Sequence, residues 1–184
     1  GMGPLAGPVV VCAVKFNKKF FRKRHKNLYW LRDSKLLTPR QRGNFVAELL
    51  KEKNFKYQIC YCYPKTIDRI NIYQAARLAM KRAIKKLHST FHHQHSIVLV
   101  DGKYQIKGLQ LKQMPIVKGD RKIFSIACAS LIAKVFRDKM MARYAKRFPD
   151  YGFERHKGYG TLGHRAKLTA LGPCRIHRVS FKLL

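Results

Sequence analysis

Two aspartates attached to strongly apolar segments constrain the fold that this chain can adopt. The segment from Val98 to Gly102 predicts an apolar strand ending at Asp101, and the segment from Ser125 to Asp138 predicts a helix that carries Asp138. Only nine of the 184 residues are acidic, so a carboxylate on an apolar element needs a reason. A carboxylate beside a core is costly unless it is paired, hydrogen-bonded or bound to a cation. A divalent metal ion that serves phosphodiester chemistry would supply that cation.

The charge of the chain indicates a polyanionic partner. Forty Lys and Arg residues oppose nine Asp and Glu residues, which gives a formal net charge of +31. Solvation of the surface accounts for most individual lysines but not for so large a sum, so the composition favours nucleic acid. No segment has the length and hydrophobicity of a membrane-spanning helix, and the start lacks the pattern of a signal peptide. We therefore expect a soluble, cytoplasmic protein with no membrane partner, whose five cysteines are reduced.

Strand and helix patterns alternate along the chain and predict an α/β fold. Because 46% of the 184 residues are hydrophobic, we expect residues 1–184 to form a single domain. The basic stretch from Lys15 to Lys26 predicts a hairpin or a loop. The predicted strands cover Pro8–Phe16, Phe55–Tyr63, Ser96–Val100 and Pro115–Val117. The predicted helices run from Pro39, after the capping residue Thr38, to about Lys53, from the capping residue Thr66 to Leu87, and from Ser125 to about Phe148.

A series of motifs along nearly the whole chain resembles one protein family. The motifs are Gly3 to Val10, Asp33 to Lys35, Asn71 with Ile72, Ala79 to Ala83, Val98 to Gly102, Lys118 to Asp120, Ser125 to Asp138, His156 to Thr161 and His177 to Phe181. Their order resembles that of ribonuclease HII, a type 2 ribonuclease H. The resemblance implies an RNase H-like fold with a central mixed β-sheet flanked by helices. It also implies a metal-dependent endonuclease that hydrolyses the RNA strand of RNA–DNA hybrids and cuts 5′ of single ribonucleotides embedded in duplex DNA.

The resemblance also implies which residues carry out catalysis. Asp101 and Asp138 match two of the four carboxylates that bind metal in the family. Two ions, Mg2+ or Mn2+, would lower the pKa of the attacking water and stabilise the leaving 3′ oxygen. Judged without the family, Asp138 has the alternative of an ion pair with Lys134 one helical turn earlier, and Asp101 has that of capping a turn before Gly102.

The start of the chain departs from the family pattern. Family members begin with a strand that carries Asp-Glu-x-Gly-Arg-Gly, and residues 1–3 match only its last three positions, with Met2 in place of the arginine. The Asp-Glu pair would lie upstream of Gly1, so we expect the first strand to be absent and the two-metal site to be incomplete. Weak metal binding and low or absent activity would follow. We expect a monomer, although an open sheet edge would also permit a dimer.

The resemblance further implies a substrate-binding surface. Tyr159, which lies between two glycines, matches the tyrosine that packs against the nucleotide at the RNA-to-DNA junction. Gly1 and Gly3 match glycines whose main chain contacts the same ribose, and Ser34 and Lys35 match a pair that holds phosphate. Stacking on an aromatic ring contributes roughly 1–3 kcal/mol per base. The alternatives for these residues are an exposed tyrosine in a Gly-rich turn and a solvated Ser-Lys loop.

Two other functions compete with the nuclease hypothesis. A catalytically impaired or inactive hybrid-binding protein would keep the substrate surface and lack half of the metal site. A general basic nucleic-acid packer would show no preference for hybrids and would leave the two aspartates unexplained. The histidines between His88 and His95 predict a solvated loop rather than a metal site. His156 and His164 lie nearer to the substrate-binding motif, but no nucleophile motif lies beside them.

Overall fold

The structure is a computed structural model that describes residues 1–24, 37–89 and 96–183. It alternates strands and helices, which confirms the predicted α/β class. The strands are β1 (Val9–Phe16), β2 (Phe55–Cys62), β3 (Ile97–Asp101) and β4 (Lys112–Ile116). The helices are α1 (Lys18–Arg24), α2 (Pro39–Lys51), α3 (Pro64–Ile70), α4 (Ile72–Ser89), α5 (Gly119–Lys122), α6 (Phe124–Arg147), α7 (Phe153–His156) and α8 (Leu162–Leu171), with a 3₁₀ turn at Pro149–Tyr151. Of the helices in these ranges, none is both long and apolar enough to span a membrane.

The strands in the described ranges form two small sheets, β1 with β2 and β3 with β4. β3 and β4 are parallel, and their register places Leu99 opposite Met114 and Asp101 opposite Ile116. The resemblance implies one central sheet. In the described ranges, the pair β1 and β2 shares no strand-to-strand hydrogen bonds with the pair β3 and β4. The mixed α/β arrangement is therefore present with its strands divided between two ladders.

The chain divides into two compact units. The first unit comprises Gly1–Val10, Tyr61–Ala79 and Phe136–Leu184, and the second comprises Val11–Cys60 and Met80–Val135. Of the residues predicted to form the site, Asp101 belongs to the second unit, while Gly1, Gly3, Asp138 and Tyr159 belong to the first. The expectation that residues 1–184 form a single domain stays a prediction.

Aromatic rings form the centre of the main core of the second unit. The ring centroid of Phe20 lies 5.4 Å from that of Phe55 and 6.2 Å from that of Phe124. Leu131 and Ile132 of α6 pack in the same cluster and are almost fully buried. Burial of side chains of this size contributes about 1.5–3 kcal/mol each, so this cluster is a main source of the unit's stability.

In the basic stretch that begins at Lys15, the first two residues end β1 and Lys18–Arg24 form helix α1, so the predicted hairpin or loop is wrong. The side chain of Asn17 accepts a hydrogen bond from the backbone N–H of Phe20 at 2.8 Å, which caps the first turn. Phe20 is buried while Lys18 and Lys19 are exposed, as in an amphipathic helix. Phe20 therefore anchors α1 to the core, while the neighbouring lysines face solvent.

The predicted start of the next helix is confirmed by its capping geometry. Thr38 Oγ1 accepts a hydrogen bond from the N–H of Gln41 at 3.3 Å, and Gln41 Oε1 accepts one from the N–H of Thr38 at 2.8 Å. This reciprocal pair is a capping box, with Pro39 at the first helical position. Thr38, Pro39 and Gln41 start α2 through contacts with each other, so the start of the helix can be predicted from these neighbouring residues alone.

The helix predicted from Thr66 is divided into α3 and α4, and Thr66 does not cap it. α3 begins two residues earlier at Pro64, whose ring presets a helical φ. Asn71 then interrupts the chain with a φ of +63°, which asparagine tolerates better than most residues. The side chain of Asn71 accepts a hydrogen bond from the N–H of Gln74 at 3.0 Å and starts α4. Pro64 and Asn71 therefore set the helix boundaries against a continuous helical pattern.

The N-terminal segment is built into the core of the first unit. Leu5 and Ala6 are both buried, and their N–H groups donate to the carbonyl of Gly158 at 2.8 and 3.3 Å. The carbonyl of Leu5 accepts a hydrogen bond from the N–H of Arg178 at 2.8 Å. Phe153 of α7, which is fully buried, packs in the same cluster. The first residues of the chain are thereby aligned with the turn that follows α7.

Candidate active site

Asp101 ends β3 on the exposed face of that strand. Val98 and Val100 point towards a small core, whereas Ile97 and Leu99 are 47% and 37% exposed. The alternation of a strand places Asp101 on the same side as Ile97 and Leu99. The carboxylate therefore lies beside apolar surface but remains accessible.

The Asp101 carboxylate is held by the backbone that opens α5. Its Oδ1 atom accepts a hydrogen bond from the N–H of Gly119 at 2.9 Å, and the N–H of Asp120 also donates to it. Desolvation by the surrounding protein raises the pKa of Asp101 above its ordinary value, and the negative charge of Asp120 raises it further. Within the described ranges, Asp101 forms no ion pair with a lysine or arginine. A cation would relieve this unfavourable environment.

Asp138 lies on α6, where it is partly exposed. In the part of the chain that the structure describes, no three His, Cys, Asp or Glu side chains are grouped so as to hold a metal ion. Asp101 and Asp138 fit Mg2+ or Mn2+ by donor type, because these ions prefer oxygen ligands. One carboxylate is commonly enough for Mg2+, which takes its other ligands from water and substrate phosphates. Each carboxylate therefore fits such an ion by its chemistry, and their pairing in one metal site stays a prediction.

Arg137, next to Asp138, is buried and binds three backbone carbonyls. Its Nε donates to Pro8 O at 3.1 Å, its Nη2 to Ala6 O at 2.9 Å and its Nη1 to Lys157 O at 2.9 Å. The side chain is almost fully buried, which lowers the pKa of the guanidinium. Arg137 thus joins the N-terminal segment to the residues just before Tyr159.

Arg178 holds the first residues of the chain in the same way. Its Nη2 donates to Gly1 O at 2.9 Å, its Nη1 to Met2 O at 2.9 Å and its Nε to Gly7 O at 3.0 Å. The side chain is fully buried, and desolvation together with the charge of Arg137 lowers the pKa of Arg178 to about 9. Two buried arginines therefore fix the backbone of the segment that contains the predicted ribose-binding glycines.

Tyr159 lies beside that segment with its ring 44% exposed. The guanidinium carbon of Arg137 is 5.9 Å from the centre of the ring, and a Cβ atom built on Gly1 would lie 2.7 Å from Arg137 Nε. A Cβ atom on Gly3 would meet nothing within 4 Å, so this glycine faces open space. The structure thus brings Gly1 and Tyr159 together around Arg137, the residue before Asp138.

Gly158 makes this close approach possible. It has a φ of +84°, and a Cβ atom built on it would lie 2.5 Å from the carbonyl oxygen of Ala6. Only glycine combines this backbone conformation with so short a distance to another backbone. The glycine before Tyr159 is therefore required by the packing of the N-terminal segment.

Sequence reasoning missed Arg137 and Arg178. Their positions in the sequence could have identified them, because both lie in motifs that match the family. Arg137 precedes Asp138, and Arg178 lies in the segment from His177 to Phe181. Ser34 and Lys35 lie outside the described residues, so their phosphate-binding role stays a prediction.

Comparison with other sequences gives a consistent family. A protein-family model described as Ribonuclease HII matches residues 1–184. A curated protein named Ribonuclease HII from Caldicellulosiruptor bescii is 46% identical over 181 residues, which cover 98% of this chain and 82% of that protein. Another from Chlorobium phaeobacteroides is 44% identical over 183 residues, which cover 100% of this chain and 86% of that protein. The alternative of a hybrid-binding protein without catalysis is not favoured by these similarities.

Comparison with solved structures agrees on the fold. The chain is similar to RNase HII in the PCNA:RNase HII complex from Archaeoglobus fulgidus, with a TM-score of 0.75 and 23% identity over 100% of this chain and 91% of that one. It is also similar to Bst-RNase HIII in complex with Mn2+, with a TM-score of 0.76 and 14% identity over 100% of this chain and 65% of that one. These likenesses establish the RNase H-like fold. The chain belongs to the ribonuclease HII family, a family of metal-dependent endoribonucleases of the RNase H type.

Proposed function

We propose that this chain hydrolyses the RNA strand of RNA–DNA hybrids and cuts on the 5′ side of single ribonucleotides embedded in duplex DNA. The observation that carries this proposal is the arrangement around Arg137, whose guanidinium lies close to Gly1 and 5.9 Å from the centre of the Tyr159 ring. Asp138 follows Arg137 directly in the chain. Residues predicted to bind the ribose and one predicted to bind metal therefore share one neighbour in the first unit.

Tyr159 and the two glycines would recognise the ribonucleotide. The exposed ring of Tyr159 offers a stacking surface worth roughly 1–3 kcal/mol, and the main chain of Gly1 and Gly3 would contact the ribose. A 2′-hydroxyl group both donates and accepts hydrogen bonds, which is how a protein distinguishes RNA from DNA at one position. The open space beside Gly3 leaves room for such a contact.

Asp101 and Asp138 would hold the Mg2+ or Mn2+ ions. A bound ion would supply a lower pKa for the attacking water and stabilisation of the leaving 3′ oxygen. The Gly119 N–H orients the Asp101 carboxylate, which has lone pairs beyond those used by the backbone. Because a ligand must be ionised, the raised pKa of Asp101 makes metal binding weaken as the pH falls.

The net charge of +31 would provide affinity for the duplex backbone. Ser34 and Lys35 would contribute phosphate contacts that fix the register of the duplex. Binding through phosphates releases counterions, so the affinity should fall steeply with salt. We further propose that the protein acts as a monomer in the cytoplasm, where its five free cysteines would remain reduced.

A cleavage assay tests this function. The substrates are a DNA duplex that contains one ribonucleotide, a fully hybrid duplex and an all-DNA duplex, each with Mg2+, Mn2+ or EDTA. We expect metal-dependent nicking of the first two only, and a fall of at least about 100-fold in Asp101→Asn and Asp138→Asn. Asp150→Asn is the matched control, because Asp150 is exposed on the 3₁₀ turn and outside the proposed site.

Each alternative predicts a different result in the same assay. Duplex binding with no nicking in either metal would support the non-catalytic hybrid-binding protein. Equal binding to all three duplexes without nicking would support a general basic packer. Nicking that survives in both aspartate variants would refute the roles assigned to Asp101 and Asp138.

A further inference from the structure

Two buried histidines and one half-buried histidine form a cluster behind the turn that carries Tyr159. His164 and His177 are 0% and 2% exposed, and their Nε2 atoms lie 3.0 Å apart. The ring of His156 stacks on that of His164, with centroids 4.2 Å apart and an interplanar angle of 14°. These residues, called here the histidine cluster, take no part in the proposed catalytic chemistry.

The backbone partners of His164 and His177 assign the proton on each ring. A carbonyl can only accept, so His164 Nδ1, which lies 2.9 Å from Tyr159 O, must carry the hydrogen. The N–H of Cys174 donates to His177 Nδ1 at 2.9 Å, so the hydrogen of His177 is on Nε2. The Cys174 carbonyl lies 3.1 Å from the same nitrogen, but the shorter contact with an obligatory donor decides the tautomer. His177 Nε2–H then donates to the bare Nε2 of His164.

His156 completes the arrangement from the other end of the turn. Its Nδ1 accepts a hydrogen bond from the N–H of Gly158 at 3.2 Å, and its Nε2–H donates to Tyr151 O at 2.7 Å. The N–H of Gly158 and the carbonyl of Tyr159 are therefore each fixed by an imidazole ring of the histidine cluster.

Protonation of the cluster would break these hydrogen bonds. A second hydrogen on His164 Nε2 would face the N–H of His177, so the two rings cannot both keep their partners. Burial lowers the pKa of His164 to about 4 and also lowers that of His177, so both rings are neutral at physiological pH. The other titratable groups that interact with the cluster are Arg165 on α8, Glu154 on α7, Cys174, and Tyr151 on the 3₁₀ turn.

We propose that His164 is a positioning residue for substrate binding, which fixes Tyr159 through its carbonyl while His177 keeps His164 in the required tautomer. The inference rests on the proposed function, because it assumes that Tyr159 contacts the nucleotide. It adds a specific prediction, namely that the hydrogen bond from Nδ1 and not the imidazole ring itself is what the substrate site needs. A positioning role through Tyr159 acts on binding of the duplex and leaves the chemical step unchanged.

A pair of variants of similar size tests the donor. In His164→Asn the amide nitrogen takes the place of Nδ1 and can still donate to Tyr159 O, whereas His164→Leu cannot. We expect His164→Leu to raise the KM for a duplex with one ribonucleotide about five- to tenfold, with kcat changed less than about threefold. His164→Asn should stay within about threefold of the wild type in both constants. His88→Leu, in α4 of the second unit, is the control for loss of a histidine.

Nuclear magnetic resonance provides a readout that does not need cleavage. Long-range 1H–15N correlations of the wild-type histidines should show Nδ1–H for His164 and Nε2–H for His156 and His177 at pH 7. The ring signals of Tyr159 should shift more in His164→Leu than in His164→Asn.

The outcomes separate this inference from the proposed function. An Nε2–H tautomer for His164, or equal KM values in the two folded variants, would overturn the positioning role. A wild-type chain with the expected tautomers that neither binds nor cuts the duplex would refute the proposed function and leave the contact to Tyr159 intact. If neither variant folds, the wild-type tautomers decide.

Discussion

Replacement of Gly158 with alanine should destabilise the protein and displace Tyr159. Gly158 has a φ of +84°, and its carbonyl accepts hydrogen bonds from Leu5 at 2.8 Å and from Ala6 at 3.3 Å. The new Cβ atom would lie 2.5 Å from Ala6 O, whereas such contacts are essentially never below 3.0 Å, so the two backbones must separate by at least 0.5 Å. Because the obstacle is a backbone carbonyl, no rotation of a side chain can relieve it.

The magnitude follows from two contributions. The left-handed backbone costs an alanine about 1–2 kcal/mol, and weakening of one or both hydrogen bonds from Leu5 and Ala6 adds about 1–2 kcal/mol. We therefore expect Gly158→Ala to lower the free energy of unfolding by about 2–4 kcal/mol. For a chain of this size, that corresponds to a decrease in Tm of about 5–15 °C.

Urea unfolding and steady-state kinetics measure the two effects. The matched control is Gly163→Ala, because a Cβ atom on Gly163 meets nothing within 4 Å and the residue lies in the first turn of α8, where alanine should not destabilise the helix. The KM for a ribonucleotide-containing duplex should rise in Gly158→Ala and stay unchanged in Gly163→Ala. If Gly158→Ala unfolds at the same urea concentration as the wild type, the close packing of the N-terminal segment on this turn is refuted.

Three further changes test other parts of the structure. Arg178→Lys should lower the free energy of unfolding by about 2–3 kcal/mol, since one ammonium group cannot replace three hydrogen bonds to different carbonyls, while the exposed Arg155→Lys should have no effect in the same urea titration. Asp101→Asn should be more stable than the wild type at pH 7 in EDTA, because a raised pKa means that the folded state disfavours the ionised carboxyl. This gain should vanish as the pH falls through the raised pKa to below the ordinary value of 3.8, and addition of Mg2+ should raise the Tm of the wild type only. Thr38→Ala should cost about 1 kcal/mol, measured by thermal unfolding against Thr38→Ser, which keeps the capping oxygen.

Local signals in the sequence predicted the elements whose boundaries depend on neighbouring residues. The start of α2 is fixed by Thr38, Pro39 and Gln41, all within four positions of each other. The predictions failed where a single side chain acts against the pattern around it. Asn71 interrupts a helical pattern by taking a positive φ, and Phe20 turns a basic stretch into a helix by reaching a core formed by distant residues. Neither effect is visible in the periodicity of the segment itself.

The resemblance predicted some residues of the candidate site, and other residues were not predicted. The resemblance identified Tyr159 and the N-terminal glycines, and the structure brings Gly1 and Tyr159 together. It gave no reason to single out Arg137 or Arg178, because a chain with 40 Lys and Arg residues offers no compositional sign of which two are buried. The histidine cluster was likewise not predicted, since its members lie on α7, on α8 and in the segment after α8 and meet only in the folded first unit.

The scarcity of acidic residues explains how the first unit buries its cations. Arg137 and Arg178 direct all of their hydrogen bonds in the described ranges to backbone carbonyls, six in total, and none to a carboxylate. The partial negative charges of these carbonyls compensate the buried guanidinium groups through direct hydrogen bonds. The charges of Asp138 and Asp68 add to this compensation, because they raise the pKa of Arg137 and Arg178, respectively. The same hydrogen bonds hold the N-terminal segment against the turn of Tyr159. They therefore both compensate the charge of the arginines and order the proposed substrate surface. Because Arg137 and Arg178 donate only to backbone carbonyls in the described ranges, their hydrogen bonds do not occupy the carboxylate oxygens of Asp101 or Asp138, which the proposed metal site would use.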